Sequence, residues 1–564
     1  MLSTMQDIPL SVSRILDFAS TVHGRTKVTT WVNNSASETT FHEIGARAAA
    51  LAHALHDELG ITGDQRVGTM MFNCAEHLEA LFGVASMGAV FTPLNKQLDN
   101  DQIHHIVVHS RMEVIIADPR LAEQLAEVIK DAPRVRAVVF IGMEVPSTSF
   151  DVDLYSYETL LDGRETVYNW PVQDEREAAA LCYSTGTEGA PKGVAYSHRA
   201  LYLDAMQLRT SDSMNITHGE TFLCCVPIYH VLSWGVPFAA FMSGTPLVLP
   251  DDDVSAPTLA RIIAATHPRV AHGVPTVWTQ LIVHYVSNPP ARMSLTEIYV
   301  GGSPASPALI KIWEQKYGVD VIHGWGMTET TATVTVARPP SGASGEARWA
   351  YRISQGRFPA NVQYRVVNDG KVVSKTDRNQ GEIQVRGNLV TSHYYHSDEP
   401  TSFRGEPVTD ATEMFTADGW LRTGDVGSVT SDGYLTVNDR ARDVIRSGGE
   451  WIYSATVENE IMEMPSVVEC AVIGYPDKKW GERPLAVTVL YSNIEPSAQT
   501  AQELHDAMSQ RLPSWMIPEY WAFVKTIDKT SVFKFDKKDL RKHLAAGELD
   551  VITLAGPGSS ADEA

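Results

Sequence analysis

The chain has 564 residues, 44% of them hydrophobic, and a formal charge of -22 from 46 Lys plus Arg against 68 Asp plus Glu. Its length exceeds one ordinary hydrophobic core and points to a large domain with a smaller companion. The acidic balance argues against nucleic-acid binding, which needs a basic face, but a few local cations and backbone amides can still hold a small anionic ligand.

Five cysteines, Cys74, Cys182, Cys224, Cys225 and Cys470, are odd in number and lack a C-x-x-C spacing. This argues against a disulfide framework or zinc site and fits a reducing cytoplasm. Residues 1–24 carry Asp7 and Asp17 and no continuous apolar stretch behind a basic region, so no signal peptide is expected. Short apolar runs at 66–72, 114–117, 137–141, 221–228, 269–274 and 298–302 alternate with helical patterns, which predicts layered α/β subdomains. Residues 221–250 carry no charge beyond a His230 proton and are long enough to span a membrane. Pro227, Pro237, Pro246, Gly235 and Gly244 would break such a helix, so a buried strand, helix and strand is expected and no transmembrane segment.

Near Gly381 the pattern changes to short alternating strands, 382–386 and 434–437, separated by Gly and Asp turns. Beyond Asp439 helices near 456–464 and 501–511 and strands near 469–474 and 484–490 form a compact α+β pattern. The expected architecture is α/β: a large N-terminal domain of layered α/β subdomains plus a β unit, with a small mobile α+β C-terminal domain. The large domain is expected to cover 1–439, the small C-terminal domain 440–554 with its boundary at 440–443, and 555–564 is expected to be a frayed tail.

The most informative segment is Tyr183-Ser-Thr-Gly-Thr-Glu-Gly-Ala-Pro-Lys-Gly-Val194, following the apolar run 178–182. Gly186, Gly189 and Gly193 let backbone N–H groups approach phosphate oxygens. Hydroxyls of Ser184, Thr185 and Thr187 add donors, and Lys192 adds charge. It is not a Walker loop, because no Gly precedes Lys192 and no Ser or Thr follows it. A plain Gly-rich surface turn is the competing reading.

This segment resembles the Ser/Thr/Gly-rich loop of the adenylate-forming superfamily of acyl-CoA synthetases, adenylation domains and luciferases. Glu188 departs from the Thr or Ser usual there; near a triphosphate it must point away or help hold a metal. Further segments resemble the family's other motifs in the same order, over about residues 25–544. In Gly324-Trp-Gly-Met-Thr-Glu329, after an expected strand 319–323, the resemblance implies Trp325 at the adenine and acyl region, Thr328 at the α-phosphate and Glu329 on Mg²⁺. In Gly301-Gly-Ser-Pro-Ala305 it implies that Gly302, Ser303 and Pro304, with Val300, His323 and Gly324, border adenine and acyl group. Standing alone, both would read as strand-end turns.

Arg422-Thr-Gly-Asp425 and Asp439-Arg440 resemble the ribose-binding stretch, with Asp425 accepting from the diol and Arg440 reaching ribose or phosphate. In isolation each is a solvated turn or ion pair. Arg442 aligns with the hinge, and Ser447-Gly-Gly-Glu-Trp-Ile452 places Ser447, Gly448, Gly449, Glu450 and Trp451 at the coenzyme A tunnel. Within Lys529-Thr-Ser-Val-Phe-Lys-Phe-Asp-Lys537, Lys534 matches the catalytic lysine that bridges the carboxylate and α-phosphate, with Phe533 in place of the usual Gly.

Pro227-Ile-Tyr-His-Val-Leu-Ser-Trp-Gly235 sorts the branch: His230 stands where amino-acid-activating relatives have Asp, so a free amino acid is not expected. With Trp234, Trp451 and Lys479-Trp-Gly-Glu-Arg-Pro484 it looks most like medium- and long-chain fatty acyl-CoA synthetases. The resemblance implies that Trp234 gates the acyl tunnel and His230 orients the carboxylate. The competing reading is a helical core pair at i and i+4. Catalysis is thereby expected from Lys534, Thr187, Thr328 and His230, acting on a small carboxylic acid, ATP with Mg²⁺ and coenzyme A, and the resemblance admits a homodimer. Three alternatives stay open: a short methylthio- or aryl-carboxylic acid, transfer of the adenylate to a carrier protein, and a non-catalytic binding homologue.

Overall fold

The computed structural model describes residues 1, 3–184, 189–368, 370–373, 380–398, 400–408, 411–448, 450–529 and 535–554. It divides into two compact units: unit 1 is Met1–Tyr364 with Val385–Leu421, and unit 2 is Arg365–Gln384 with Arg422–Ala564. The division by contacts thus falls between Leu421 and Arg422 and adds an inserted piece of chain to the second unit. The tail 555–564 lies outside the described residues.

Unit 1 holds two α/β layers. In the first sheet the order is Asp153–Ser156, Ala137–Phe140, Met112–Ala117, Arg66–Met70, Val90–Pro93, Ala178–Ser184 and Lys192–Ser197. All neighbours are parallel except the last two, which form a hairpin. In the second, Asp320–Trp325, Glu297–Val300, Val270–Gly273, Phe222–Cys224, Leu247–Leu249 and Lys27–Val32 run parallel, and the edge strand Ser35–Thr40 is antiparallel to the last. Continuous apolar runs such as Ala137–Phe140, buried at every position, are what a sheet covered on both faces requires.

The helices are fixed by local chemistry as well as burial. Phe41–Asp57 starts with a capping box between Thr40 and Glu43, and its Ala-rich face lets Gly83 of Ala75–Ser86 approach within contact of the Ala48 backbone. Phe41 stacks on Phe241, ring centroids 4.0 Å apart. The uncharged stretch 221–250 folds as strand Phe222–Cys224, helix Val236–Ser243 and strand Leu247–Leu249, all buried. Among the described residues no helix is long and apolar enough to cross a membrane.

Unit 2 contains the antiparallel hairpin Leu421–Val429 with Tyr434–Arg440, which begins at the division itself. It also contains a sheet ordered Glu450–Ile452, Ile445–Ser447, Gly481–Leu490, Tyr520–Phe523 and Val551–Thr553, with Val467–Asp477 also paired to Gly481–Leu490. Helices Ser454–Met462, Ala498–Met508 and Lys537–Ala545 accompany that sheet around a core that includes Trp521 and Ile461. All five cysteines are buried free thiols.

Candidate active site

In unit 1 the strand Ala178–Ser184 returns as Lys192–Ser197, with Ser184 opposite Lys192 and Tyr183 opposite Gly193. The two ends of the Gly-rich segment therefore stand side by side at the sheet edge. Gly189 has φ +78°, a conformation that favours glycine. Thr185, Gly186, Thr187 and Glu188 lie outside the described residues. Gly193 is closely packed: a Cβ there would meet Tyr395 Cβ at 3.1 Å and Leu181 Cδ1 at 3.2 Å, so both neighbours would have to give by a few tenths of an ångström. The Tyr395 N–H donates to the Gly193 carbonyl at 2.7 Å.

Next to it, Tyr394 links two motifs far apart in sequence. Its ring centroid lies 5.2 Å from Lys192 Nζ, and its hydroxyl donates to Glu329 Oε1 at 2.7 Å. The Tyr196 hydroxyl donates to the Thr328 carbonyl at 2.5 Å. Burial pushes both phenols above the ordinary tyrosine range, so they remain neutral donors around pH 7. A cation, a buried carboxylate and the Thr328 turn are thereby drawn to the end of one hairpin.

The neighbouring strands Glu297–Val300 and Asp320–Trp325 pair Val300 with His323; Gly301–Gly302 follows the first and Gly326 the second, at the carboxyl ends where open α/β sheets bind ligands. Gly302 has φ +79°, and Ser303 and Pro304 continue at the partly exposed rim. At Gly326 a Cβ would sit 1.6 Å from the Ala332 carbonyl oxygen, so no other residue fits. Trp325 is buried edge-on to Phe358, centroids 5.9 Å apart at 67°. Burial lowers the pKa of His323 to about 4, leaving a neutral imidazole at pH 7.

His230 and Trp234 flank a turn that the sequence does not announce. Val231, Leu232, Ser233 and Trp234 have φ of 34°, 49°, 54° and 54°, and Gly235 follows at 74°. This is a left-handed turn, so the competing expectation of a right-handed helical pair is corrected. Left-handed backbone costs L residues about 1–2 kcal/mol each, from the clash of Cβ with the following carbonyl. The turn is held from within: the Ser233 hydroxyl donates to the Val226 carbonyl at 2.8 Å, and His272 Nε2 lies 3.1 Å from both the Ser233 carbonyl and its Oγ. Because a carbonyl only accepts, Nε2 carries the proton. Burial lowers the pKa of His272 to about 4. Trp234 meets His272 edge-on at 5.3 Å, and its Cη2 lies 3.2 Å from where a Gly301 Cβ would stand. Gly235 packs directly on the fully buried carboxyl of Asp204.

Unit 2 gathers the remaining motifs. Asp425 and Arg440 are cross-strand partners, Arg440 Nε standing 2.8 Å from Asp425 Oδ1, and the Asp425 N–H donates to the Thr423 hydroxyl at 3.1 Å. Asp439 Oδ2 accepts from the Ser454 N–H at 2.5 Å and hydroxyl at 2.6 Å. Lys537 Nζ lies 2.6 Å from Ser454 Oγ and 2.7 Å from Glu458 Oε1. Burial alone would lower the Lys537 pKa; Glu458, Asp439 and Asp443 outweigh it and raise it. Arg442 is exposed, and Arg541 pairs with Asp443 at 2.7 Å. Ser447 and Glu450 face each other in a hairpin, and Arg483 donates to the Ser447 hydroxyl at 3.3 Å. Gly448, at φ +60°, packs on the Trp480 ring, while the Arg446 guanidinium lies 5.9 Å from the Trp451 ring. Gly449, Phe533 and Lys534 lie outside the described residues.

Two expected groups are therefore brought together: Ser184, Lys192, Thr328 and Glu329 at the hairpin end, and Trp234, Val300, Gly302, His323 and Gly324 around the adjoining strand ends. Tyr394, Tyr196, His272, Asp204 and Lys537 were not singled out by the sequence. Tyr394 follows an irregular segment with no local pattern, and the aromatic pair Tyr394-Tyr395 was its only signal.

The AMP-binding enzyme family matches residues 18–395, and the AMP-binding enzyme C-terminal domain matches residues 456–534. The fold is that of an anthranilate CoA ligase crystallised with anthranoyl-AMP, at TM-score 0.82 and 24% identity, over 97% of this chain and 100% of that one. A medium-chain-fatty-acid–CoA ligase of Ectopseudomonas oleovorans is 34% identical over 96% of this chain and 97% of its own. A 3-methylmercaptopropionyl-CoA ligase of Ruegeria lacuscaerulensis is 32% identical over 96% of this chain and 98% of its own. The chain belongs to the AMP-binding enzyme family.

Proposed function

We propose that the chain is an AMP-forming acyl-CoA ligase for carboxylic acids with apolar tails, most suitably medium- or long-chain fatty acids. The observation that carries this reading is the contact chain from Lys192 through Tyr394 to Glu329, which links a lysine ammonium through one ring to a buried carboxylate. Full-length similarity to ligases of two apolar-tailed acids supports it.

The acid's carboxylate attacks the α-phosphorus of ATP, the bond to the β-phosphate oxygen breaks, and pyrophosphate leaves. Lys534, Thr187 and Thr328 hold the reacting groups in line, and Ser184, Thr185, Gly186, Gly189 and Lys192 bind the phosphates. His230 orients the carboxylate, and Asp425 and Arg440 take the ribose. The coenzyme A thiol then attacks the acyl carbonyl and AMP leaves. In this scheme 440–554 is a lid turning at Arg442 against 1–439, and Ser447, Gly448, Gly449, Glu450 and Trp451 line the thiol's path.

The donor set suits Mg²⁺, which takes one or two carboxylates and shares phosphate oxygens: Glu329 is a hard oxygen ligand, 6% exposed, with Oε1 fixed by Tyr394. The ion would neutralise phosphate charge. The same reading places the enzyme in the cytoplasm and admits a homodimer.

The decisive experiment measures pyrophosphate release and acyl-CoA formation over a panel of acids, with and without coenzyme A. Absence of pyrophosphate with every acid overturns the reading; pyrophosphate without thioester points to a carrier protein as acceptor. Lys534→Ala is expected to cut adenylation at least about a hundredfold and to spare thioester formation from supplied acyl-adenylate. A second reading, a short methylthio-carboxylic acid as substrate, is favoured by the Ruegeria relative, and the same panel separates it.

A further inference from the structure

Selection among acids of different length depends on where the acyl channel ends, and Trp234 stands beside Gly301 at the strand ends that adjoin Thr328 and Glu329. Its position is not secured by an ordinary helix. Four consecutive residues with β-carbons, one of them the β-branched Val231, hold positive φ, and only the following Gly235 tolerates that freely. A segment in such a conformation persists only when its surroundings over-determine it.

The restraint is identifiable. His272, wholly buried on the strand Val270–Gly273, reaches the middle of the turn with Nε2 at 3.1 Å from the Ser233 carbonyl and 3.1 Å from its Oγ. The same ring supports the Trp234 indole edge-on, centroids 5.3 Å apart. Phe222 also meets the buried His272 ring edge-on, centroids 5.2 Å apart.

We propose that His272 is a positioning residue for acyl-chain selection: by its hydrogen bond to Ser233 and its edge contact with Trp234, it holds the left-handed turn Val231–Trp234 so that the indole lies against Gly301 and limits acid length. This rests on the acyl-CoA ligase reading. Trp234 would touch the substrate, whereas His272 acts through it. Loss of the hydrogen bond lets the turn relax, Trp234 withdraws, and longer acids gain over shorter ones. The imidazole stays neutral well below pH 6, so the restraint does not titrate near pH 7.

The test compares kcat/KM for pyrophosphate release with acids from butyrate to palmitate. His272→Leu removes the donor; His272→Gln keeps an N–H near the Nε2 position. The expected result is a shift of the palmitate-to-octanoate ratio by about tenfold toward palmitate in His272→Leu, the size of a one-group change in an apolar pocket. Butyrate turnover should be nearly unchanged and His272→Gln should restore the ratio. In a Trp234→Ala background His272→Leu should shift the ratio no further. A uniform loss on all acids, or an undiminished shift without Trp234, overturns the proposal. Should His272→Leu fail to fold, His272→Asn, whose shorter amide cannot reach the Ser233 carbonyl from the Nε2 position, is expected to move the same ratio in the same direction, and an unchanged ratio overturns the proposal. Pyrophosphate release with unaltered ratios defeats this inference alone, whereas no release from the unsubstituted protein with any acid defeats the ligase reading.

Discussion

The two units hold their candidate sites by different means. In unit 1 the fixing donors are neutral: Tyr394 on Glu329, Tyr196 on the Thr328 carbonyl, His272 on Ser233. In unit 2 the framework is ionic: Arg440 on Asp425, Lys537 on Glu458, Arg541 on Asp443. Neutral buried donors keep their geometry over a wide pH and salt range, but only while burial keeps them neutral. In an ion pair held away from water, each partner becomes a liability once the other is gone.

Acid sets the largest difference. Burial lowers His77, His272 and His323 of unit 1 from 6.5 to about 4. A folded value below the unfolded one means that the fold favours the neutral ring, so this stability is present above pH 6.5 and lost as pH falls toward 4. Each ring accounts for on the order of 3 kcal/mol. Urea unfolding from pH 7 to 4 should weaken steeply, with unit 1 signals leading; a flat profile would erase the contrast.

Lys537→Met comes next, because it strands Glu458 in the interior of unit 2, at a cost of about 3–5 kcal/mol. Unfolding midpoints check this, and a loss under about 1 kcal/mol would show that the ionic framework carries little. Tyr394→Phe removes one neutral donor from a buried carboxylate, a loss of about 1–3 kcal/mol, and adenylation is expected to fall about tenfold with KM for ATP raised. The smallest effect belongs to Arg440→Lys. Arg440 is 38% exposed, so solvent and salt screen its pair with Asp425, and stability should change by less than about 1 kcal/mol. A large stability loss there would mean that the pair is structural first.

Much of this was legible in the sequence because the physics is local. The continuous apolar runs became parallel strands, the prolines and glycines of 221–250 did break a would-be span, and the strands on either side of the Gly-rich segment pair as an antiparallel hairpin. The Thr328 turn is written in Gly326, where a Cβ would strike the Ala332 carbonyl. What stayed hidden depends on contacts distant in sequence. Nothing around Tyr394 says that its ring lies beside Lys192 and its hydroxyl on Glu329. The turn at Val231 defied local propensity, since a β-branched residue at positive φ is selected by the restraint from His272, itself on another strand.

One feature of unit 2 has a mechanical side. Asp439 precedes Arg442 in the chain, whereas Ser454 and Lys537 come after it, and Asp439 grips the start of the helix Ser454–Met462 through two short hydrogen bonds. Any swivel of the backbone at Arg442 would pull that carboxylate out of the helix start and away from the ammonium group at once. Such a contact would act like a detent on a shaft, resisting the first small displacement because both hydrogen bonds are short. Were the chain to turn there, a single aspartate would have to let go first.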